Sequence, residues 1–390
     1  MLSEKSRPVI EATAPVIAER IPHITPLFYR RMFTARPDLL DGMFSRSNQK
    51  SGEQPRALAG SIVNFAVHLL NHPDSYPDAV LSRIANKHAA LGLQEDEYPT
   101  VYEHLFAAIA DDLGDAATPE VVEAWTEVYW LMAHALIRME KGLYASQAND
   151  KMFAPWTVVD RQETGHDVVV FTFEPADDTP VTQALPGQYV SIQTVVSDGI
   201  KQPRQFTLLP AQTSQRRFAV KLDPKGEVTP LLHASLKVGD VVELSNPYGD
   251  LILRDVDNPL VTMSAGIGVT PMLALLDALK EKNPQREVLV VHADHSPDAW
   301  PLADEMKADV DALPNATLKT FFEEPGTGDF DGFLDVTKLD IPEDANVVLC
   351  GPLPFLQHTR EQLLAANVPA ERIFYEIFGP DVWQVQGAVG

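Results

Sequence analysis

Apolar residues in the first third of the chain return in steps of three and four, the period of a helix with one buried face. The clearest run is Val122, Trp125, Tyr129, Met132, Leu136, Glu140 and Leu143, which predicts a helix over about 119–145. It opens on Thr118-Pro119, a capping residue followed by a first-turn proline; Thr25-Pro26 carries the same signature and predicts another helix start. Leu81, Ile84, His88 and Leu91 mark a helix near 79–91, and Tyr98, Leu105 and Ile109 open the next, so residues 1–148 read as all-helical. Residues 145–155 form a polar, unpatterned linker. Short β-rich runs follow at 156–159, 168–173, 188–194, 205–208, 217–222 and 241–244, with one short helix near 229–235. Proline- and glycine-containing turns between them predict a small antiparallel β-barrel. From Pro259, strands at 260–263, 287–292, 317–322 and 346–349 alternate with helices at 271–282, 300–312 and 353–366, the pattern of a parallel α/β sheet. The expected organisation is multidomain: all-α over 1–148, antiparallel barrel over 149–257, and α/β over 258–390.

Polar residues on apolar faces come next. Glu140 falls on the stripe of its helix, where a buried carboxylate is costly unless hydrogen-bonded. The plain alternative is that it sits near the helix end and reaches water. His88 faces inward with Leu81 and Ile84, and Tyr98 heads the next apolar face. A lone inward histidine is ordinarily a core residue, but a metal-bound one needs an acceptor on its other ring nitrogen, which Glu140 can supply with Tyr98 behind it. Tyr29, beside Met32 and Phe33, and Gln54, ahead of Leu58, Ile62 and Phe65, are polar groups at core edges. Opposite a metal they would be donors to a bound diatomic. Farther on, an apolar run ends in Gly266-Ile267-Gly268-Val269-Thr270-Pro271. Glycine lets a backbone bend sharply or approach a ligand, and with Thr270 as N-cap and Pro271 at the first helical position a helix start there would favour phosphate. Proline in place of a third glycine sets it apart from the ordinary dinucleotide turn.

The net charge of −24, carried by both parts (−7 in residues 1–150, −17 in the rest), disfavours nucleic acid and anionic membranes as partners. Cys350 is the only cysteine, which excludes an internal disulfide and a thiolate metal cluster. No stretch approaches a membrane span and the first residues do not read as a signal peptide, so a soluble, reducing, cytoplasmic setting is expected.

The last two thirds resemble the ferredoxin-reductase-like flavin reductase module. The resemblance rests on Pro186-Gly187-Gln188-Tyr189, on Arg204-Gln205-Phe206-Thr207, on the glycine turn, on Cys350-Gly351-Pro352, and on Tyr375-Glu376-Ile377-Phe378-Gly379-Pro380. The first third resembles a bacterial globin, with Tyr29, Phe44, Gln54, Leu58 and Lys87-His88 at matching places. Together these are similar to the flavohaemoglobin family. The resemblance implies haem b held by His88, FAD, NADH or NADPH, and conversion of nitric oxide and O2 to nitrate. It further implies a distal Tyr29 and Gln54, haem walls Phe44 and Leu58, and a proximal Glu140 and Tyr98. Lys87 and Glu376 match positions that tune the two cofactors. Tyr189, Arg204, Gln205, Phe206 and Thr207 would meet the flavin. Gly226, Val228 and Thr229 would meet its pyrophosphate, and residues 266–271, 350–352 and 376–380 the nicotinamide side, with Phe378 over the ring. Two departures stand out. Phe206 replaces the family's usual tyrosine, and Lys225-Gly226-Glu227-Val228-Thr229-Pro230 replaces a paired-glycine, serine segment, so looser FAD binding is expected. The stretch 292–296 holds no arginine for a 2′-phosphate, which favours NADH. A monomer, with a lipid in the distal pocket as one option, completes the expectation. Reduction of hydroperoxides or quinones, and an oxygen or nitric oxide carrier or sensor, are the alternatives.

Overall fold

A computed structural model describes residues 1–44, 46, 53–164, 167–254 and 256–379, with the side chains of 53–57 and 59 also outside the description. Gln54 and Pro380, both expected at sites, therefore lie outside it. The chain divides into two compact units. One is Met1–Met152 with Gln193–Arg204 and Gly379; the other is Phe153–Ile192 with Gln205–Phe378.

The first unit is built on helices α1 (Arg7–Ala35), α2 (Glu53–Asn71), α3 (Asp78–Leu91), α4 (Tyr98–Leu113) and α5 (Pro119–Ala145). Helix α5 begins as expected, with Thr118 Oγ1 accepting from Val121 N–H at 3.4 Å. The other capping signature misleads: α1 runs straight through Thr25-Pro26 and holds Pro15, Pro22 and Pro26 internally. Thr25 caps nothing. It is buried and its hydroxyl donates back to the Ile21 carbonyl at 2.7 Å. Interior prolines each forfeit a helix hydrogen bond. The buried stripe Ile10, Ala14, Ile17, Ile21, Ile24, Phe28 and Met32 outweighs that loss, at about 1.5–3 kcal/mol per fully buried large side chain. A short arm, residues 193–204, belongs to this unit. Lys201 carbonyl accepts from Gly42 N–H at 2.8 Å. The buried Gln202 amide donates to the Leu40 and Phe44 carbonyls, while its oxygen accepts from Arg46 N–H at 2.9 Å.

The strands form two six-stranded sheets, the first of which includes residues of that arm. Strands β1 (Phe153–Thr164), β2 (Val168–Pro175), β3 (Tyr189–Val195), β4 (Lys201–Thr207), β5 (Arg216–Lys221) and β6 (Val241–Ser245) take the order β4-β3-β6-β1-β2-β5, with α6 (Thr229–Ser235) between β5 and β6. The closed barrel expected from the sequence is not formed: this sheet is open. Its two ends meet through a single bridge, Leu208 to Phe218, instead of a continuous ladder. β1 starts at Phe153, so the linker is shorter than the sequence suggests, because Phe153–Thr157 pair with Val241–Ser245.

The second sheet, ordered β10-β9-β8-β7-β11-β12, contains β7 (Leu260–Ala265), β8 (Val288–Asp294), β9 (Ala316–Phe322), β10 (Phe330–Asp331), β11 (Asn346–Cys350) and β12 (Ile373–Glu376). Helices α7 (Val269–Lys282), α8 (Ala303–Asp311) and α9 (Leu353–Ala365) connect them. The last strand and the short β10 have too few residues to show a period. β7 is buried along nearly its whole length, as a central parallel strand covered on both faces must be. Strand order reverses between β7 and β11, which opens a crevice at their C-terminal ends. Arg217 on β5 makes a two-pronged ion pair with Glu305 on α8, at 2.5 and 2.9 Å, fixing the two sheets of this unit to one another.

Candidate functional site

In the helical unit the three inward polar side chains meet. Glu140 is 2% exposed, so the water-reaching alternative falls. Its Oε1 accepts from Tyr98 Oη at 2.6 Å and pairs with His88 Nδ1 at 2.8 Å. Burial first, then the Glu140 charge, pushes the Tyr98 phenol far above its ordinary pKa, so it stays a donor. Tyr129 donates to the Tyr98 carbonyl at 2.7 Å and Tyr144 to the Leu93 carbonyl at 2.6 Å, just past the left-handed Gly92 that ends α3. The imidazole is thereby fixed from behind. With Nδ1 donating to a carboxylate, Nε2 carries a lone pair. No hydrogen-bond partner meets Nε2 among the described residues, and the side chain is 32% exposed. That is the donor set an axial haem ligand requires. Lys87, next along, donates to the Gly379 carbonyl at 2.6 Å.

Tyr29 is buried on α1 and lies edge-on to Phe44 at 6.0 Å between ring centroids, with Phe33 against both. Leu58, half-buried on α2, packs on the same core. Tyr29 and Phe44 therefore fall together, whereas the Gln54 side chain lies outside the described residues.

At the antiparallel sheet, Gly187 has φ +100°, and a Cβ there would sit 2.0 Å from the Leu251 carbonyl oxygen. That close approach explains the glycine before Gln188-Tyr189. Tyr189 exchanges both backbone hydrogen bonds with Tyr248, at 2.7 and 2.9 Å. Phe206 stacks on Phe218 with centroids 4.9 Å apart and planes 8° apart, and Phe173 continues the stack at 4.8 Å. A ring without a hydroxyl is thus oriented by packing alone. Thr207 is buried on the same strand, and Arg204 donates to the Pro203 carbonyl at 2.7 Å. In the segment expected to meet pyrophosphate, the Thr229 hydroxyl is occupied: it accepts from Asp223 N–H at 2.9 Å. Val228 is buried, and a Cβ on Gly226 would meet the Asp223 side chain at 3.0 Å.

The glycine turn differs in detail from its sequence reading. Gly266–Gly268 form a short tight helix and α7 starts at Val269, with Gly268 in the capping place. Thr270 is inside the first turn, and its hydroxyl donates to the Ile267 carbonyl at 3.1 Å instead of accepting a backbone N–H. Gly266 supplies the bend at φ +53°. Gly268 serves packing: a Cβ there would lie 2.2 Å from the Cys350 carbonyl oxygen and 2.7 Å from Gly351 N. Parallel register then sets His292, Ser264, Cys350 and Glu376 side by side across the strand ends. Ser264 Oγ meets His292 Nδ1 at 2.9 Å, and His292 stacks on Trp300. Burial lowers the His292 pKa, so the ring is neutral. Lys221 brings its ammonium within 3.9 Å of where a Gly266 Cβ would be. Ser264, His292 and Lys221 escape a sequence reading; the ends of adjacent β-runs are the signal that could have marked the first two. Ile377 is buried and Phe378 is 45% exposed, free to cover a flat ligand.

The chain matches the globin family over residues 27–136, the oxidoreductase FAD-binding domain over 155–252 and the oxidoreductase NAD-binding domain over 263–361. Among curated proteins it is 37% identical to the flavohemoprotein of Rhizobium meliloti, covering 98% of this chain and 100% of that one. It is 35% identical to flavohemoprotein A of Dictyostelium discoideum, over 97% and 98%. Among solved structures, the flavohemoglobin of Malassezia yamatoensis, with bound FAD and heme, is 54% identical at a TM-score of 0.94, covering 97% of this chain and 100% of that one. The FAD/NAD-binding domain of a nitric oxide dioxygenase from Vibrio cholerae is 31% identical at a TM-score of 0.55, covering 59% and 100%.

Proposed function

The chain belongs to the flavohaemoglobin family, and from that premise we propose that it is a nitric oxide dioxygenase, converting nitric oxide and O2 to nitrate at the expense of NADH. The observation that carries this is the Tyr98–Glu140–His88 chain, which leaves one imidazole nitrogen open to iron, in a protein that also bears FAD- and NAD-binding domains.

Haem would supply reversible O2 binding and one-electron chemistry, and FAD the change from hydride to single electrons. The chain's residues do the rest. His88 would hold the haem iron through Nε2, its Nδ1 being engaged by Glu140. Glu140 draws on the Nδ1 proton and gives the ring anionic character, while Tyr98 keeps the carboxylate in place. Tyr29 would donate to charge developing on the distal side, where Phe44 and Leu58 would exclude water, and Gln54, whose side chain lies outside the described residues, is the second expected donor. Tyr189, Arg204, Gln205, Phe206 and Thr207 would hold the flavin, and Gly226, Val228 and Thr229 its phosphates. With the Thr229 hydroxyl committed to Asp223, FAD binding is looser than the family norm. Residues 266–271, Cys350, Gly351, Pro352 and Glu376 would line the nicotinamide, and Phe378 and Gly379 would cover the flavin, with Pro380 expected beside them though outside the described residues. Lys221, close to Gly266, would offer its ammonium to the phosphates. The functional domains are 1–148, 149–257 and 258–390. A cytoplasmic monomer, with a lipid as one option on the distal side, completes the proposal. Among the described residues no helix is long and apolar enough to cross a membrane.

Purified holoprotein given NADH and O2 should consume nitric oxide with equal nitrate formed. Faster turnover of hydroperoxides than of nitric oxide, or no nitrate, would overturn the assignment.

A further inference from the structure

Away from the residues expected at the cofactors, two histidines sit together at the C-terminal end of α2, one in its last turn and one just beyond it. His68 lies in the last turn of α2 and His72 directly past its end, where His72 N–H still donates to the His68 carbonyl at 2.7 Å, so the two residues follow one another at helical spacing. Their ring centroids are 4.8 Å apart with 37° between planes. Two imidazoles at an i, i+4 spacing and this separation can offer two nitrogens to one metal ion. His72 is exposed and His68 half-buried, so both rings can be reached. Ser75 Oγ lies 3.4 Å from His68 Nε2, and the chain turns back with Ser75 N–H donating to the His72 carbonyl at 3.3 Å. The negative end of the helix faces this turn.

We propose that His68 and His72 form a binding site for one divalent cation of the imidazole-preferring class, such as Zn²⁺, Ni²⁺ or Cu²⁺. Two tetrahedral bonds of about 2.0–2.1 Å place the nitrogens about 3.4 Å apart, a spacing compatible with ring centroids 4.8 Å apart. An all-nitrogen pair selects these ions over Mg²⁺ and Ca²⁺, which take oxygen. Among the described residues no third histidine, cysteine or carboxylate completes the set. The remaining positions belong to water or a small ligand, and the site exchanges its ion readily.

The test is calorimetric titration of the holoprotein, free of any added histidine tag, with ZnCl₂ near neutral pH. Wild type should take up one ion at this site. His72→Asn and His68→Asn should each weaken uptake about tenfold or more, since even losing a supporting partner costs that much. His134→Asn, a histidine outside the pair, should bind as wild type. His72 is exposed, so its replacement leaves folding intact, and the haem absorption spectrum checks this. No Zn²⁺ uptake by wild type at millimolar concentration overturns the proposal, as does uptake by His72→Asn within twofold of wild type.

Discussion

Replacing Glu140 by glutamine removes a charge and almost nothing else. Both donors, Tyr98 Oη and His88 Nδ1, converge on the same oxygen at 2.6 and 2.8 Å, so an amide oxygen can inherit both bonds. A hydrogen bond to a charged group contributes about 1.5–3 kcal/mol and a neutral one about 0.5–1.5. Two bonds weakened by about 1 kcal/mol each, offset in part by no longer burying a carboxylate, leave a net loss of about 1–2 kcal/mol. For a unit of this size that lowers the melting temperature of the helical part by about 2–8 °C. The electronic effect is separate: a neutral acceptor draws less on the Nδ1 proton, so the iron–histidine stretch in the resonance Raman spectrum of the ferrous protein should fall. Tyr98→Phe supplies the opposite sign. It deletes one bond and also destabilises, but leaves the whole carboxylate charge to His88, so the stretch should rise. If both variants moved the stretch in the same direction, or neither moved it, the coupling of Glu140 to the iron through His88 would be refuted.

Other expectations concern the distal side, the nucleotide turn and acid stability. Tyr29→Phe should speed O2 release in stopped-flow measurements and lower nitric oxide turnover; an unchanged release rate would remove Tyr29 from the distal role. Gly268→Ala forces a Cβ to 2.2 Å from a backbone oxygen that has no room to move, so chemical denaturation should show a loss of about 1–3 kcal/mol or more, with weaker NADH binding. His292 is fully buried with a depressed pKa, so the folded chain binds fewer protons than the unfolded one as pH falls below about 6.5. Stability should therefore decline on acidification below that point. His292→Gln should flatten this slope, and equal slopes in denaturant titrations would exclude His292 as a source.

Much of the proximal site could be read from periodicity, because Glu140, His88 and Tyr98 each break an apolar stripe at helical spacing. What periodicity cannot say is whether a polar residue on a buried face finds a partner, and only packing of α3, α4 and α5 answers that. Thr118-Pro119 and Thr25-Pro26 look alike locally, yet one starts a helix and the other lies within one. The difference is a buried stripe that extends on both sides of Thr25, a tertiary effect that overrides a two-residue signal. The open sheet has the same origin: a strand run shows its own alternation but not whether its two edges will pair. Register is also invisible, so Ser264 and His292 emerged only once the strand ends were aligned.

The arm at 193–204 has a consequence for how the protein is made. Gly42 and its neighbours leave the ribosome about 160 residues before Lys201 and Gln202, the groups that satisfy their backbone. At about 5–20 residues per second that is an interval of roughly 8–32 s. Throughout it the corner after α1 is without its partners, although every described helix of the first unit has been synthesised before the arm arrives. During synthesis, then, the globin part of the molecule is finished by a segment of the FAD-binding domain.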